Sequence, residues 1–228
     1  PDGIPNEAMI EADGKTREMY REVINEIHKP RTHPEEWQKG HIKRLYKGKG
    51  KKGKCSNERG ITLASNMGKM YERIINNRIS SKIDMTEAQA GGQKGKATTD
   101  HLLIIKELIQ KAKQQRKPIY IAFLDVTKAY DKAWLDAIMY VMHKSGLKDS
   151  LWQVVRNLNM NLTAQLQTKY GLTRDIKIKD SIRQGGVLSV VQYALLIDEI
   201  SKEINQLNIT EDTEGIGELI ACCLLWMM

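Results

Sequence analysis

The stretch IYIAFLDVTKAYDKAW, residues 119–134, decides the fold class. Its first six residues form an apolar run with the length of a buried strand, and Pro118 separates this run from the helical pattern before it. After Asp125 the apolar spacing becomes that of a helix, which ends near Gly146. A buried strand that ends at a carboxylate and continues into a helix places that carboxylate at the rim of a sheet, where ligands commonly bind in folds that combine strands and helices.

Helical and strand patterns also follow one another outside this stretch, without internal repeats. Helices are predicted at 16–27, 67–83, 101–114, 150–160 and 188–207, and strands at 37–46, 164–168 and 175–179. In the helix at 101–114 the side chains predicted to face inward are Leu102, Ile105, Leu108 and Ile109. A last apolar run, LIACCLLWMM at 219–228, has the character of a strand.

The composition excludes several classes of protein. A chain of 228 residues with 41% hydrophobic residues is long and apolar enough for one large domain or two small ones, and it is not disordered. Three cysteines are an odd number and show no zinc-binding spacing, so we expect a reduced, intracellular protein. No apolar run reaches the length of a membrane span. The first residue, Pro1, predicts a piece of a longer protein.

The positive charge is concentrated in one segment. KGHIKRLYKGKGKKGK, residues 39–54, contains eight Lys and Arg residues and no acid, which equals the whole net charge of +8. Its glycines fit the tip of a hairpin. Such a concentration indicates a polyanionic partner, with nucleic acid as the first candidate. A solvated, mobile lysine loop remains the alternative interpretation.

Two further features carry possible chemistry. Asp125 must be solvated, paired or metal-bound, because a buried unpaired carboxylate is costly; it is either a metal ligand or an exposed cap of the following helix. Asp131 lies in the first turn of that helix, and one firm carboxylate is an incomplete Mg²⁺ site. Gln184, Gly185 and Gly186 form a glycine turn before a helix, which is either a plain turn or an anion-binding backbone.

Taken together, these segments resemble the reverse transcriptases of retroelements without long terminal repeats. FLDVTKAYDKAW at 123–134 resembles the first palm motif of that family, and SIRQGGVLSVVQYALLIDEI at 181–200 is similar to the second. The segments that resemble motifs of the fingers are PDGIPNEAM at 1–9, RGITLASNMGKMYERIINNRI at 59–79 and QAGGQKGKATTDHL at 89–102. The motifs occur in the family's order over nearly the whole chain.

The resemblance implies an α+β fold made of reverse-transcriptase fingers and a partial palm, without the thumb. Residues 1–117 would be the fingers, including the basic segment at 39–54, and residues 118–228 would be a palm that ends before the third palm motif. That motif is an aromatic-x-Asp-Asp turn, and no Asp-Asp pair occurs in the sequence. The prolines usual around Leu188-Ser189 are replaced by Val187 and Val190.

The resemblance also implies a role for particular residues. Asp125 would bind the two catalytic Mg²⁺ ions, and Tyr130 would lie under the sugar and reject a 2′-hydroxyl, although its place on the helical stripe also fits a core residue. The triphosphate would contact Lys47 and Arg59, with Lys43 and Lys49 as alternative matches for the lysine. The remaining implied nucleotide contacts are Val126, Gln184 and Gly185, and the implied nucleic-acid contacts are Lys43, Arg44, Lys49, Lys51, Lys52 and Lys54.

The resemblance predicts an RNA-directed DNA polymerase domain that uses Mg²⁺, dNTPs, an RNA template and a DNA primer, in the cytoplasm and nucleus. The 228 residues alone are expected to be inactive. The alternative is a decayed, non-catalytic remnant that only binds nucleic acid through its basic segment.

Overall fold

The computed structural model describes residues 2–124, 126–179 and 181–206. In these ranges the helices are α1 (Asn6–Ile10), α2 (Gly14–His28), α3 (Asn66–Ser80), α4 (Thr98–Gln115), α5 (Leu135–Lys144), α6 (Asp149–Asn159) and α7 (Leu188–Gln206). The strands are β1 (Lys39–Tyr46), β2 (Glu58–Leu63), β3 (Thr163–Thr168), β4 (Gly171–Leu172) and β5 (Ile176–Lys177). This combination of helices and strands confirms the predicted α+β class, and the six predicted helices, including the one that ends near Gly146, are all present. The predicted run at 219–228 lies outside the described residues.

The chain divides into two compact units. The first consists of residues 1–83 and 129–189, and the second of residues 84–128 and 190–228. The chain therefore crosses from one unit to the other three times. The predicted division into fingers at 1–117 and palm at 118–228 follows different limits and stays a prediction.

A small sheet organises the first unit. Strands β1 and β2 form an antiparallel hairpin, and β1 also pairs with β3 in parallel, which gives the order β2-β1-β3-β4, with β5 also paired to β3. The predicted hairpin is confirmed, and the basic segment at 39–54 is half strand and half loop.

Helices α3, α5 and α6 supply the core of the first unit. Ile75 and Ile79 of α3 and Ile138 and Met142 of α5 are fully buried, and each such side chain contributes about 1.5–3 kcal/mol through removal from water. The N-cap residue of α3 is Ser65, whose hydroxyl accepts a hydrogen bond from the Gly68 amide at 3.0 Å.

The second unit is held together by polar side chains buried against α7. The Gln89 side-chain amide donates to the Ala194 carbonyl at 3.1 Å. The carboxylate of Asp198, which has no exposed surface, accepts from the Thr86 amide at 3.2 Å and pairs with Lys202 at 3.2 Å. These contacts fix the turn at residues 86–91 on α7.

Two predictions about the second unit are wrong. Residues 119–124 form no strand, and Tyr120 and Phe123 are 78% and 79% exposed, because no described strand pairs with this run. Leu102, predicted to face inward, is 56% exposed because α4 buries little more than His101. None of the described helices is both long and apolar enough to cross a bilayer.

Candidate functional site

The glycine turn at 184–186 lies against the edge strand of the sheet. The Thr62 amide of β2 donates to the Gln184 carbonyl at 2.8 Å, so a backbone hydrogen bond fixes the turn at the sheet edge. Gly185 has a φ of +109°, and a Cβ there would lie 2.9 Å from the Thr62 carbonyl oxygen. Both the conformation and the close approach therefore require glycine at this position.

A buried ion pair between Arg183 and Glu72 anchors the glycine turn at 184–186. Arg183 donates to Glu72 Oε1 of α3 at 3.2 Å and to the Trp37 carbonyl at 2.9 Å, and both charged side chains are 6% exposed. The second carboxylate oxygen, Oε2, accepts from the Val187 amide at 2.7 Å. Glu72 therefore satisfies the arginine and also the first amides of α7, where a helix prefers a negative charge.

Glu72 was not among the residues predicted from the sequence. It lies three residues before Ile75 and seven before Ile79, so it occupies the buried face of α3. A carboxylate on an otherwise apolar face rarely stays buried without a partner, and this is the signal that could have identified it.

The structure brings the first palm motif close to the second at one point. The Ile182 amide donates to the Tyr130 carbonyl oxygen at 3.3 Å, and the Tyr130 side chain is half-buried. Val126 is about half exposed, and Asp125 lies outside the described residues. The spatial relation of Asp125 to Gln184 and Gly185 stays a prediction.

The basic hairpin separates its charges onto two faces. Residues opposite each other in β1 and β2 share a face, so Arg59, opposite Leu45, lies on the same face as Lys43. On the other face Arg44 pairs with Glu58 at 3.2 Å. In the described part of the chain no carboxylate pairs with Lys43 or Arg59.

Local hydrogen bonds order the loop of the hairpin. The Lys47 ammonium donates to the Ser56 carbonyl at 2.9 Å, the Asn57 side-chain amide donates to the Lys51 carbonyl at 2.9 Å, and the Tyr46 hydroxyl donates to the Gly50 carbonyl. The loop therefore presents its lysines from a fixed backbone. The ammonium groups of Lys49, Lys51, Lys52 and Lys54 have no side-chain partner among the described residues, and all four side chains are exposed.

The described residues do not form a metal site by themselves. Among them no group of three or more His, Cys, Asp or Glu side chains is arranged to hold an ion. Asp131 is exposed, and the described carboxylates Glu72 and Asp198 are already satisfied by protein donors.

Burial and positive neighbours affect two histidines near this site. Burial lowers the pKa of His33, and the nearby Arg183 guanidinium lowers it further. Burial likewise lowers the pKa of His28, followed by the effects of Arg78 and Arg31. Burial raises the pKa of Tyr71, which contacts His28, to about 12. The aromatic rings of Trp37 and Tyr71 contact each other between these groups, with centroids 5.5 Å apart.

The first unit thus combines a basic hairpin with a glycine turn that is hydrogen-bonded to the hairpin's edge strand, β2. The model of the family described as reverse transcriptase (RNA-dependent DNA polymerase) matches residues 49–221. The chain therefore belongs to the reverse transcriptase family.

Relatives from retrotransposons without long terminal repeats are among the similar proteins. The Pol polyprotein of the type-1 retrotransposable element R2 from Popillia japonica is 26% identical over 72% of this chain and 22% of its own length. The RNA-directed DNA polymerase from mobile element jockey of Drosophila funebris is 27% identical over 69% of this chain and 17% of its own length. The chain thus spans about a fifth of the length of these relatives.

One solved structure shows the same fold. An apo telomerase from Candida tropicalis, truncated from its C-terminal domain, superposes with a TM-score of 0.50 at 16% identity. The match covers 75% of this chain and 40% of the telomerase chain.

Proposed function

We propose that the chain is the fingers, at 1–117, and part of the palm, at 118–228, of an RNA-directed DNA polymerase of a retroelement. In the complete enzyme it would transfer nucleotides from dNTPs to a DNA primer on an RNA template. The observation that carries this proposal is the basic hairpin, which holds Lys43 and Arg59 on one face, where neither forms an ion pair with a described carboxylate. Arginine and lysine at such a place suit phosphate oxygens, as a fork and as a point charge respectively.

Each proposed contact has a separate part in this function. Lys47 and Arg59 hold the triphosphate, while Val126, Gln184 and Gly185 line the nucleotide. The proposed nucleic-acid contacts are Lys43, Arg44, Lys49, Lys51, Lys52 and Lys54. Of these residues, Arg44 contributes least to nucleic-acid binding, because its guanidinium already forms an ion pair with Glu58. Asp125 is the proposed ligand of Mg²⁺, the ion that stabilises the attacking and leaving oxygens in enzymes of this type.

The hairpin can be tested directly by the salt dependence of RNA binding. Fluorescence anisotropy with a labelled single-stranded RNA should show affinity that falls steeply with salt and is nearly insensitive to sequence. Replacing Lys49, Lys51 and Lys52 by glutamine should reduce the slope of log K against log salt by about 2.

A matched control removes the same charge elsewhere. Lys106, Lys111 and Lys113 are exposed on α4, and their triple glutamine variant should keep the steep slope of the unmodified chain. Equal slopes for the hairpin variant and the unmodified chain would exclude the hairpin from RNA binding.

Tyr130 is proposed to select deoxyribonucleotides. In a complete polymerase that carries this palm, Tyr130→Ala should let ribonucleotides be incorporated, as measured by single-nucleotide extension with dNTPs and rNTPs. An unchanged ratio with persistent DNA synthesis would make Tyr130 a core residue.

The 228 residues alone are proposed to be inactive, because they contain no Asp-Asp pair to join Asp125. Primer extension by the purified chain should therefore equal that of its Asp125→Asn variant. Template-dependent synthesis above this variant would contradict the proposal.

Val187 and Val190, which stand where the family usually has prolines, favour a second candidate, a decayed remnant that only binds nucleic acid. In that case an enzyme completed with the missing palm strand and thumb would still be inactive.

A further inference from the structure

A small basic cavity lies in the first unit, away from the hairpin. It has a volume of about 210 Å³ and is lined by His28, Arg78, Ser81, Lys82, Ser150 and Leu151. These residues come from the last turn of α2, the end of α3 with the two residues after it, and the first turn of α6. None of the described carboxylates lines the cavity, and the exposed Asp149 at the start of α6 is not part of its wall.

Hydrogen bonds fix the imidazole of His28 in this wall. Its Nδ1 lies 2.8 Å from the hydroxyl of Tyr71, and its Nε2 lies 3.3 Å from a guanidinium nitrogen of Arg78. Because arginine only donates, Nε2 accepts and Nδ1 carries the proton toward the tyrosine oxygen. His28 is therefore a neutral ring that holds Arg78 in place without cancelling its charge.

Among the described residues, the positive charges around the cavity have no negative partner. In the described part of the chain, no carboxylate lies within ion-pair distance of Arg78, Lys82 or the neighbouring Arg31. Arg31 instead donates to the Gln153 side chain at 2.8 Å, and its carbonyl accepts from Asn157 at 2.9 Å, so α6 holds it near the cavity. Burial lowers the pKa of His28, and the positive charges of Arg78 and Arg31 lower it further.

A hydroxyl and backbone amides complete a set of donors. Ser150 lines the cavity in the first turn of α6, whereas the Ser81 hydroxyl, also in the lining, already donates to the Arg78 carbonyl at 2.9 Å. No described side chain caps α6, which leaves its first amides free to donate. Two cationic side chains, the Ser150 hydroxyl and free amides match an anion with several acceptor oxygens.

We propose that this cavity binds a phosphate group, with Arg78 and Lys82 as charge partners and Ser150 as the hydroxyl donor. Free phosphate and the phosphodiester of a nucleic-acid strand share this chemistry. The proposal does not depend on the proposed polymerase function, because it rests on the lining of the cavity alone; only Arg78 belongs to a segment that resembles a family motif, the one at 59–79.

The imidazole of His28 provides the measurement. Its NMR signal, assigned with the His28→Gln variant, is titrated with pH in the full chain, in sodium phosphate and in sodium chloride of equal ionic strength. A bound anion offsets the field of Arg78 and Arg31, so the pKa of His28 should be higher in phosphate than in chloride. Identical titration curves in the two salts would overturn the proposal.

Charge-removal variants then locate the site. Affinity for inorganic phosphate, followed by the same signal at constant pH, should weaken about tenfold or more in Lys82→Gln, as expected for loss of a charge-assisted hydrogen bond. Arg78→Gln should act likewise, and Lys82→Gln has the advantage of leaving the His28 hydrogen bonds intact. Arg73→Gln, an exposed change on α3 outside the cavity, is the matched control and should bind as the unmodified chain does. Unchanged affinity in both cavity variants would refute the assignment.

The source of the phosphate is decided by two probes. A short RNA without terminal phosphates offers only phosphodiesters, whereas inorganic phosphate offers only the free ion. A Lys82-dependent change of the His28 signal with RNA assigns the cavity to a strand, and the same change with inorganic phosphate alone assigns it to a free phosphate. If neither probe produces a Lys82-dependent change, the cavity is not a phosphate site.

Discussion

Substitutions in the buried ion pair of Arg183 and Glu72 should lower the free energy of unfolding more than any other single substitution predicted for this chain. Removing either partner leaves an uncompensated charge, so Arg183→Met or Glu72→Met should lower the free energy of unfolding by about 3–5 kcal/mol. The double variant Arg183→Met/Glu72→Met should lose less than the sum of the two. Urea denaturation followed by circular dichroism measures the free energy of unfolding of the single and double variants. Arg21→Met, which breaks the exposed pair with Glu18, serves as the control and should have little effect.

Gly185 allows a second prediction for a single residue. Alanine there must adopt a φ of +109° with its Cβ 2.9 Å from a backbone oxygen, so Gly185→Ala should lower the free energy of unfolding by about 1–3 kcal/mol. Gly14→Ala is the matched control, because a Cβ at the start of α2 meets nothing within 4 Å. Equal stability of the two variants in urea would show that the turn tolerates a side chain.

At the scale of elements, the N-terminus of α3 is stabilised from outside the helix. The carboxylate of Asp2 accepts from the Ser65 hydroxyl at 2.8 Å and from the Asn66 amide at 2.7 Å. Partial burial alone would raise the pKa of Asp2, but these hydrogen bonds, with those from Met67 and Ile4, lower it overall. The first residues of the chain thereby become part of the cap of α3.

This cap gives a prediction with a defined pH window. A lowered carboxyl pKa contributes stability above its ordinary value of 3.8, and this contribution is lost as pH falls below that value. Asp2→Asn should therefore be less stable than the unmodified chain at neutral pH, and the difference should shrink below about pH 3.8. Ser65→Ala, which also removes the bond to Gly68, should cost about 1 kcal/mol or more at neutral pH. A constant difference for Asp2→Asn at all pH values would contradict the assigned charge.

A helix or strand could be predicted from the sequence when the interactions that form it are local in the chain. The helices were predictable because their apolar spacing is local, as in Tyr71, Ile75 and Ile79. The run at 119–124 has the composition of a strand, but a strand also needs a partner, and composition does not specify one. The same limit applies to the site: the glycines of the turn at 184–186 are visible in the sequence, whereas the pairing of Arg183 with Glu72 joins residues 111 positions apart.

At the scale of the whole molecule, His28 and His33 make stability depend on pH. Burial lowers the pKa of both in the folded chain, with Arg78 and Arg31 acting on His28 and Arg183 on His33. The unfolded chain, with an ordinary value of 6.5, then takes up protons first. The free energy of unfolding should therefore fall as pH is lowered from about 7.5 to about 5. The double variant His28→Gln/His33→Gln should have a flatter dependence in urea melts across this range, and an unchanged slope would contradict the prediction.

The contacts of Arg183 also have a consequence for the order of synthesis. Its side chain bonds to Trp37 and Glu72, which precede it by 146 and 111 residues. At roughly 5–20 residues per second, about 6–22 s separate the translation of Glu72 from that of Arg183. During that interval the nascent α3 has no guanidinium for its buried carboxylate, so the first unit cannot complete its core. We therefore expect the N-terminal part of the chain to be prone to aggregation until residue 183 has been synthesised.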